Sequence, residues 1–278
     1  MRRDLTILRC VANPGCILGE GPVWDARSQS VYWVDILGCR IHRYDGEGSE
    51  SWSTPEQVAF VAPELDGTLL AGFASGLHRV ALSADGTVRA ERIDRVAAGD
   101  RFNDATRDTR GRLWACTLTT YYRYDERLVR HEIDRGYLVA NGPALSPDER
   151  LVYTVETRGH SRRPRGIFVS RLTGHDELAG QQLLVEWAPR TSQPDGIVTD
   201  ADGCLWVGEF EGNVVRRFSP EGEELAAWPL PAWNPTKPAL GDGVVYVTSA
   251  RYGVDDEQLA RYPDTGGLIE ISGIGSAS

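Results

Sequence analysis

Four oxygen-bearing side chains occupy matching places in a repeated pattern of this sequence. Each lies 11 or 12 positions before the second residue of a strand-like segment, and the four are Glu20, Asn103, Asn141 and Asp195. Carboxylate and carboxamide oxygens without Cys or His are the ligands of a hard divalent cation. Asn and Asp beside Gly or Pro are also common turn formers, which explains each residue taken alone. Their shared place in the repeat favours a metal site.

The repeat consists of a polar turn, an aliphatic residue, an aromatic or aliphatic residue, and then small or β-branched residues. The six copies are residues 31–34, 69–72, 113–116, 152–155, 205–208 and 245–248. Their spacings of about 38, 44, 39, 53 and 40 residues suit the four-stranded blades of a β-propeller. No segment shows a helical period of useful length. The sequence therefore predicts an all-β, six-bladed β-propeller.

The oxygen-bearing residues then have a defined place in this fold. Blades are related by rotation about a central channel, so equivalent positions form a ring around it. In the second unit the position falls on Val58 or Ala59, and in the sixth on Asn234 or Pro235. The other four units supply the oxygen donors, and we expect them to form a central metal site.

Several motifs resemble those of a known family. They are Leu-Gly-Glu-Gly-Pro-Val-Trp at 18–24, Arg-Phe-Asn-Asp at 101–104, Ala-Asn-Gly-Pro-Ala-Leu-Ser-Pro-Asp at 140–148, Pro-Asp-Gly at 194–196 and Val-Thr-Ser-Ala-Arg at 247–251. With them the sequence resembles the SMP-30/regucalcin/gluconolactonase family of six-bladed propellers, which hold one divalent cation. The resemblance implies metal ligands at Glu20, Asn141 and Asp195. It implies a substrate-binding pair at Arg101 and Asn103.

The resemblance implies a metal-dependent lactonase that hydrolyses a sugar-acid lactone. Three protein ligands leave positions open on the cation, and a Lewis acid polarises a lactone carbonyl. We expect Asp195 to be the general base for the attacking water. Arg101 and Asn103 are expected to orient the substrate. The oxygen ligands suit Ca²⁺, Zn²⁺, Mn²⁺, Mg²⁺ or Fe²⁺.

Some segments depart from the family pattern. Ala105 stands where Gly usually follows the Arg-x-Asn-Asp motif, residues 115–120 lack the family's acidic substrate contact, and residues 237–242 are atypical. Two alternatives therefore stay open: another metal-dependent ester or phosphotriester hydrolase on this scaffold, and a non-enzymatic, calcium-binding propeller. The basic segment 158–165 fits a solvated loop, or a loop at the channel mouth that attracts an anionic substrate.

Composition excludes several classes of function. The chain has 278 residues, a formal net charge of −10 and a pI near 5.1, which argue against nucleic-acid binding and against an anionic membrane surface. Five scattered cysteines without a Cys-x-x-Cys pair indicate reduced thiols and a cytoplasmic protein. No segment resembles a signal peptide or a membrane span. We expect a monomer or weak dimer whose partner is a small lactone.

The ends of the chain are expected to close the ring. We predict a single propeller domain over residues 1–271. Residues 5–10 alternate weakly like an edge strand, and pairing with residues 267–271 would leave no long sheet edge open. Residues 272–278 are rich in Gly and Ser and are expected to form a disordered tail.

Overall fold

The fold is a closed ring of β-sheets. The computed structural model describes residues 6–174, 176–188 and 190–274. In this part of the chain, 24 strands form six four-stranded sheets that are arranged as the blades of a β-propeller. The prediction of an all-β, six-bladed propeller is confirmed.

The strands follow the chain blade by blade. The first strand, β1 (Ile7–Ala12), belongs to the last blade. The next five blades are β2 (Gly19–Asp25), β3 (Ser30–Asp35), β4 (Arg40–Tyr44) and β5 (Ser49–Ser53); β6 (Val58–Pro63), β7 (Leu69–Phe73), β8 (Gly76–Leu82) and β9 (Val88–Arg92); β10 (Phe102–Arg107), β11 (Leu113–Thr117), β12 (Thr120–Tyr124) and β13 (Arg130–Arg135); β14 (Ala140–Leu145), β15 (Leu151–Glu156), β16 (Gly166–Leu172) and β17 (Leu178–Glu186); β18 (Gln193–Thr199), β19 (Leu205–Phe210), β20 (Val214–Phe218) and β21 (Glu224–Pro229). The sixth blade adds β22 (Pro235–Leu240), β23 (Val245–Ser249) and β24 (Leu268–Ser272).

The two ends of the chain meet in the sixth blade. β1 pairs antiparallel with β24, with Leu8 opposite Ile271 and Cys10 opposite Ile269. The predicted pairing of the N-terminal segment with residues 267–271 is therefore confirmed. Ser272, which the sequence assigned to the tail, is the last residue of β24, and residues 275–278 lie outside the described residues.

Among the residues that the structure describes, one short helix interrupts the strands. The helix α1 (Asp256–Arg261) lies between β23 and β24, and the Asp255 side chain caps it by accepting the Gln258 N–H at 2.8 Å. Six residues are too few to show a 3.6-residue period, which is why the sequence pattern missed this helix. The described helices include none that is long and apolar enough to cross a membrane.

Two buried tryptophans, on the second strands of the third and fifth blades, are hydrogen-bonded to aspartates in the preceding turns. Trp114 Nε1 donates to Asp108 Oδ2 at 3.0 Å, and Trp206 Nε1 donates to Asp200 Oδ2 at 2.9 Å. The Oδ1 atom of each aspartate also accepts backbone N–H groups of its own turn. The turn that separates two strands thus also satisfies a buried indole, which would otherwise lose its hydrogen bond to water.

The innermost strands lose regular pairing at one level of the channel. β2, β6, β10, β14, β18 and β22 contact one another around a closed ring. Each has a register shift in its pairing with the second strand of its blade. A β-bulge changes the direction of a side chain, which regular pairing would point to one face of the sheet. The shifts begin at or span the four oxygen-bearing residues: Glu20, Asn103, Asn141 and Asp195.

All five cysteines lie in the described part of the chain. They are free thiols, and Cys16, Cys116 and Cys204 are buried. This agrees with the prediction of reduced thiols.

Candidate active site

The four oxygen-bearing side chains converge at the end of the channel where the innermost strands begin. Each belongs to the first three residues of its strand, and each is less than 10% exposed: Glu20, Asn103, Asn141 and Asp195. The structure therefore brings together the residues that the repeat placed in one ring.

A chain of hydrogen bonds joins three of these residues to Arg101. Arg101 Nη1 donates to Asn103 Oδ1 at 3.0 Å, and Asn103 Nδ2 donates to Asn141 Oδ1 at 3.0 Å. Asn141 Nδ2 then donates to Asp195 Oδ1 at 2.5 Å and to Thr157 Oγ1 at 3.1 Å. The Asn141 carboxamide is therefore the central link of the site.

Glu20 and Asp195 form a pair of buried carboxylates. Burial and, second, the charge of Asp104 raise the pKa of Glu20 to about 8. Burial and, second, the charge of Glu20 raise the pKa of Asp195 well above its ordinary value. In the described part of the chain, neither carboxylate forms a salt bridge with a Lys, Arg or His side chain.

This donor set fits a hard divalent cation. Buried charges are normally paired or bound to a metal, and two carboxylates plus a carboxamide oxygen are ligands that hard cations accept. No group of three or more His, Cys, Asp or Glu side chains among the described residues is placed to hold a metal. A cation at this site would therefore need Asn141 as a ligand beside Glu20 and Asp195.

A buried ion pair lies beside the carboxylates, and the sequence did not predict it. Lys237 Nζ donates to Asp104 Oδ1 at 2.6 Å and to the Ala105 carbonyl at 2.9 Å. Lys237 is the only lysine of the sequence. The sequence offered one indication of a special role for Lys237, its position in the atypical segment 237–242. Its partner could not be identified because 133 residues separate the two.

Comparison with known proteins identifies the family. Residues 18–251 match the family described as SMP-30/Gluconolactonase/LRE-like region. The chain belongs to this family. The predicted resemblance is thereby confirmed.

Relatives of this SMP-30/gluconolactonase family member cover nearly its whole length. It is 35% identical to a 6-deoxy-6-sulfogluconolactonase of Pseudomonas putida, over 93% of this chain and 92% of that protein. A pentonolactonase of Haloferax volcanii is 31% identical over 88% of this chain and 86% of its own length. The solved structure of a calcium-binding protein, regucalcin, from Agrobacterium tumefaciens matches with a TM-score of 0.86 at 23% identity, covering 95% of this chain and 93% of that chain.

The sixth ring position does not contribute to the site of this family member. Asn234 is 2% exposed, but its side chain forms its hydrogen bonds with backbone groups. Asn234 Nδ2 donates to the carbonyls of Ala250 and Tyr252, and Oδ1 accepts the Glu211 N–H at 2.9 Å. Asn234 is thus a turn-stabilising residue.

Residues 115–120 of the third blade, which depart from the family pattern, contact the backbone next to Arg101 through the Asp100 carboxylate. The Leu118 N–H and the Thr119 hydroxyl both donate to the Asp100 carboxylate at 3.1 Å, and the same carboxylate accepts the Arg101 N–H at 2.9 Å. Cys116 donates to the Gly142 carbonyl at 3.2 Å, and burial raises the pKa of its thiol well above the ordinary value. Cys116 is therefore a neutral packing residue.

The basic segment 158–165 lies at the same end of the channel as Asn141. It follows β15, whose Glu156 pairs with Ala140. The Arg163 guanidinium lies 3.7 Å from the centroid of the Tyr137 ring, and Arg165 Nη2 donates to the Arg190 carbonyl at 2.6 Å. Two arginines of the segment therefore have structural contacts.

The two other arginines of this segment differ. The side chains of Arg158 and Arg162 are exposed and have no hydrogen bond or ion pair in the described part of the chain. Among the described residues, they are the two arginines of the segment whose side chains have no partner.

A cavity of about 450 Å³ lies toward the opposite end of the channel. Its wall comes from the later residues of the innermost strands, including Val23, Val61 and Thr199. Lys237 and Ala105 also line it. The Lys237–Asp104 ion pair thus lies between this cavity and the carboxylate site.

Proposed function

We propose that this protein is a metal-dependent lactonase that hydrolyses a sugar-acid lactone. The observation that carries the proposal is the buried pair of Glu20 and Asp195. Asn141 is hydrogen-bonded to Asp195, and neither carboxylate forms a salt bridge in the described part of the chain. Two relatives support the substrate class because they are named as lactonases acting on sulfogluconolactone and on pentonolactones.

Glu20, Asn141 and Asp195 would hold the cation. One divalent cation supplies a Lewis acid that polarises the lactone carbonyl. Asp195 accepts a proton from the water whose oxygen attacks the carbonyl carbon. The bond between that carbon and the ring oxygen then breaks, and the proton passes to the departing alkoxide. One water is consumed, and the product is an open-chain hydroxy acid.

Arg101 is the proposed substrate-orienting residue. Its Nη1 donates to the Phe102 carbonyl and to Asn103, whereas Nε and Nη2 have no hydrogen-bond partner in the described part of the chain. Two such N–H groups match the paired oxygens of an anionic group or of neighbouring hydroxyls. Asn103 stays a predicted substrate contact, and its amide also holds Arg101 and Asn141 in place.

The test is lactone hydrolysis by protein that has been stripped with a chelator and reloaded with one cation at a time. The cations are Ca²⁺, Zn²⁺, Mn²⁺, Mg²⁺ and Fe²⁺. The panel contains glucono-, xylono-, arabinono- and galactonolactone, a 6-sulfonated gluconolactone and an aryl ester. We expect no acid release above spontaneous opening after stripping, and restored turnover of at least one lactone after reloading.

Three results would contradict the proposal in different ways. Full turnover after complete stripping would exclude metal dependence. Turnover of the aryl ester alone would favour a different ester hydrolase. Tight cation binding without turnover of any compound would favour a non-enzymatic, calcium-binding propeller.

A further inference from the structure

The Lys237–Asp104 ion pair spans the channel. Asp104 lies on β10 of the third blade and Lys237 on β22 of the sixth, which are opposite each other in a six-membered ring. Their side chains are 1% and 6% exposed. A buried pair at 2.6 Å is a strong interaction because the surroundings screen it poorly.

The backbone next to Asp195 is shaped to admit the lysine stem. A Cβ atom on Gly196 would lie 2.5 Å from Lys237 Cβ and 2.6 Å from Lys237 Cγ. Any side chain at position 196 would therefore displace Lys237. The Pro-Asp-Gly motif thus supplies both a carboxylate and the space for the lysine beside it.

Asp104 is held next to the carboxylate pair. Its Oδ2 accepts the N–H of Gly142, the residue after Asn141, at 3.2 Å, and its Oδ1 accepts the Ala105 N–H at 2.7 Å. The charge of Asp104 contributes to the raised pKa values of Glu20 and Asp195, and the charge of Lys237 opposes that effect. Asp104 is therefore a third carboxylate within electrostatic reach of the site.

We propose that Lys237 is a positioning residue that neutralises Asp104 and so limits the carboxylate ligands of the cation to Glu20 and Asp195. This inference rests on the metal-dependent function proposed above. With the ion pair intact, the three carboxylates and one ammonium carry two net negative charges, which match a divalent cation. Asp104 then stays out of the ligand set, and positions on the cation remain open for water and substrate.

The test is the affinity of the chelator-stripped protein for Mn²⁺, measured by calorimetry in a double-mutant cycle. Lys237→Met leaves a third negative charge unpaired, so we expect Mn²⁺ to bind roughly tenfold more tightly or better. Asp104→Asn leaves the ammonium unpaired, so we expect roughly tenfold weaker binding. The double variant removes both charges and should return to within about threefold of the wild-type affinity.

Opposite signs in the two single variants distinguish this electrostatic role from a structural one. If the ion pair only holds the blades together, both single variants lose affinity, and the inference is overturned. Arg112→Met is the matched control because it removes a similarly buried ion pair with Asp108 outside the channel. Its Mn²⁺ affinity should stay at the wild-type value, and an equal change there would also overturn the inference.

A second variant covers the case in which Lys237→Met does not fold. Lys237→Gln removes the charge but keeps an N–H donor for Asp104, and it should also bind Mn²⁺ more tightly than wild type. Unchanged or weaker binding by folded Lys237→Gln overturns the inference and leaves the proposed function intact. A wild-type protein that binds none of the five cations overturns the metal-dependent function itself.

Discussion

At the scale of single residues, the proposed mechanism assigns two roles to Asp195, as general base and as metal ligand. On that mechanism we expect Asp195→Asn to lower lactone turnover by at least about 10²-fold, because the variant would lose the base and one charged ligand. It should also weaken cation binding while keeping the fold, as checked by circular dichroism. Asp202→Asn is the control, since that side chain is exposed in the following turn. Wild-type turnover in Asp195→Asn would remove Asp195 from the mechanism.

His42 makes a separate contribution, to the pH dependence of stability. Its Nδ1 lies 2.6 Å from Ser51 Oγ, and its ring stacks on Trp33. Burial lowers the pKa of His42 to about 4; the charge of Asp35 opposes this effect in part, and the charge of Arg40 adds a smaller lowering. Below about pH 6.5 the unfolded chain therefore binds a proton that the folded protein does not bind.

We therefore expect the free energy of unfolding to fall between about pH 6.5 and pH 4, by on the order of 2–3 kcal/mol from this residue. Urea unfolding across this pH range should show a smaller decrease in His42→Gln than in the wild type. His131→Gln, at an exposed position, is the control and should keep the wild-type slope. Equal slopes in His42→Gln and wild type would contradict the assignment.

The sequence predicted those site residues that repeat at one register, and it missed those that do not. Glu20, Asn103, Asn141 and Asp195 could be found because each blade begins in the same way. Asp104 and Lys237 could not be matched, because an ion pair between opposite blades leaves no local pattern.

At the scale of elements, close approach between blades sets where the innermost strands lie. Gly208 on β19 packs against β22, and a Cβ atom there would lie 2.1 Å from the Thr236 carbonyl oxygen. This neighbour is backbone, so an added methyl group must displace the strand that carries Lys237.

We expect Gly208→Ala to lower the free energy of unfolding by about 1–3 kcal/mol, as overpacking does. Lactone turnover should fall with it, because β22 moves. Gly48→Ala is the matched control, since a Cβ atom at position 48 meets nothing within 4 Å. Chemical denaturation of both variants provides the measurement. Equal free energies of unfolding would show that β22 can move aside without a loss of stability.

The second strands of the blades were predicted because aromatic and β-branched residues recur there after turn residues. The register shifts of the innermost strands were not predicted. A bulge depends on which residue of the partner strand lies opposite, and pairing is a property of two strands together.

At the scale of the whole molecule, the closure of the ring depends on one strand from the other end of the chain. β1 covers β24, which would otherwise be an open edge that can pair with another chain. We expect removal of residues 1–12 to lower the unfolding temperature and to cause self-association that light scattering detects.

The control for this deletion stays within the same strand. Arg9→Ala removes only the exposed ion pair between Arg9 and Glu270, and exposed ion pairs contribute little to stability because solvent screens them. It should remain monodisperse and nearly as stable as the wild type. A truncated protein that behaves like Arg9→Ala would show that the other blades hold the ring closed without β1.

The burial of the only lysine has a practical consequence. Amine-reactive reagents find no lysine on the folded surface, because the Lys237 ammonium lies inside the channel. Labelling of this amine therefore requires the ion pair with Asp104 to break or the chain to unfold. The rate of acylation at Lys237, followed by mass spectrometry, would measure how often the amine leaves Asp104 in the unmodified protein.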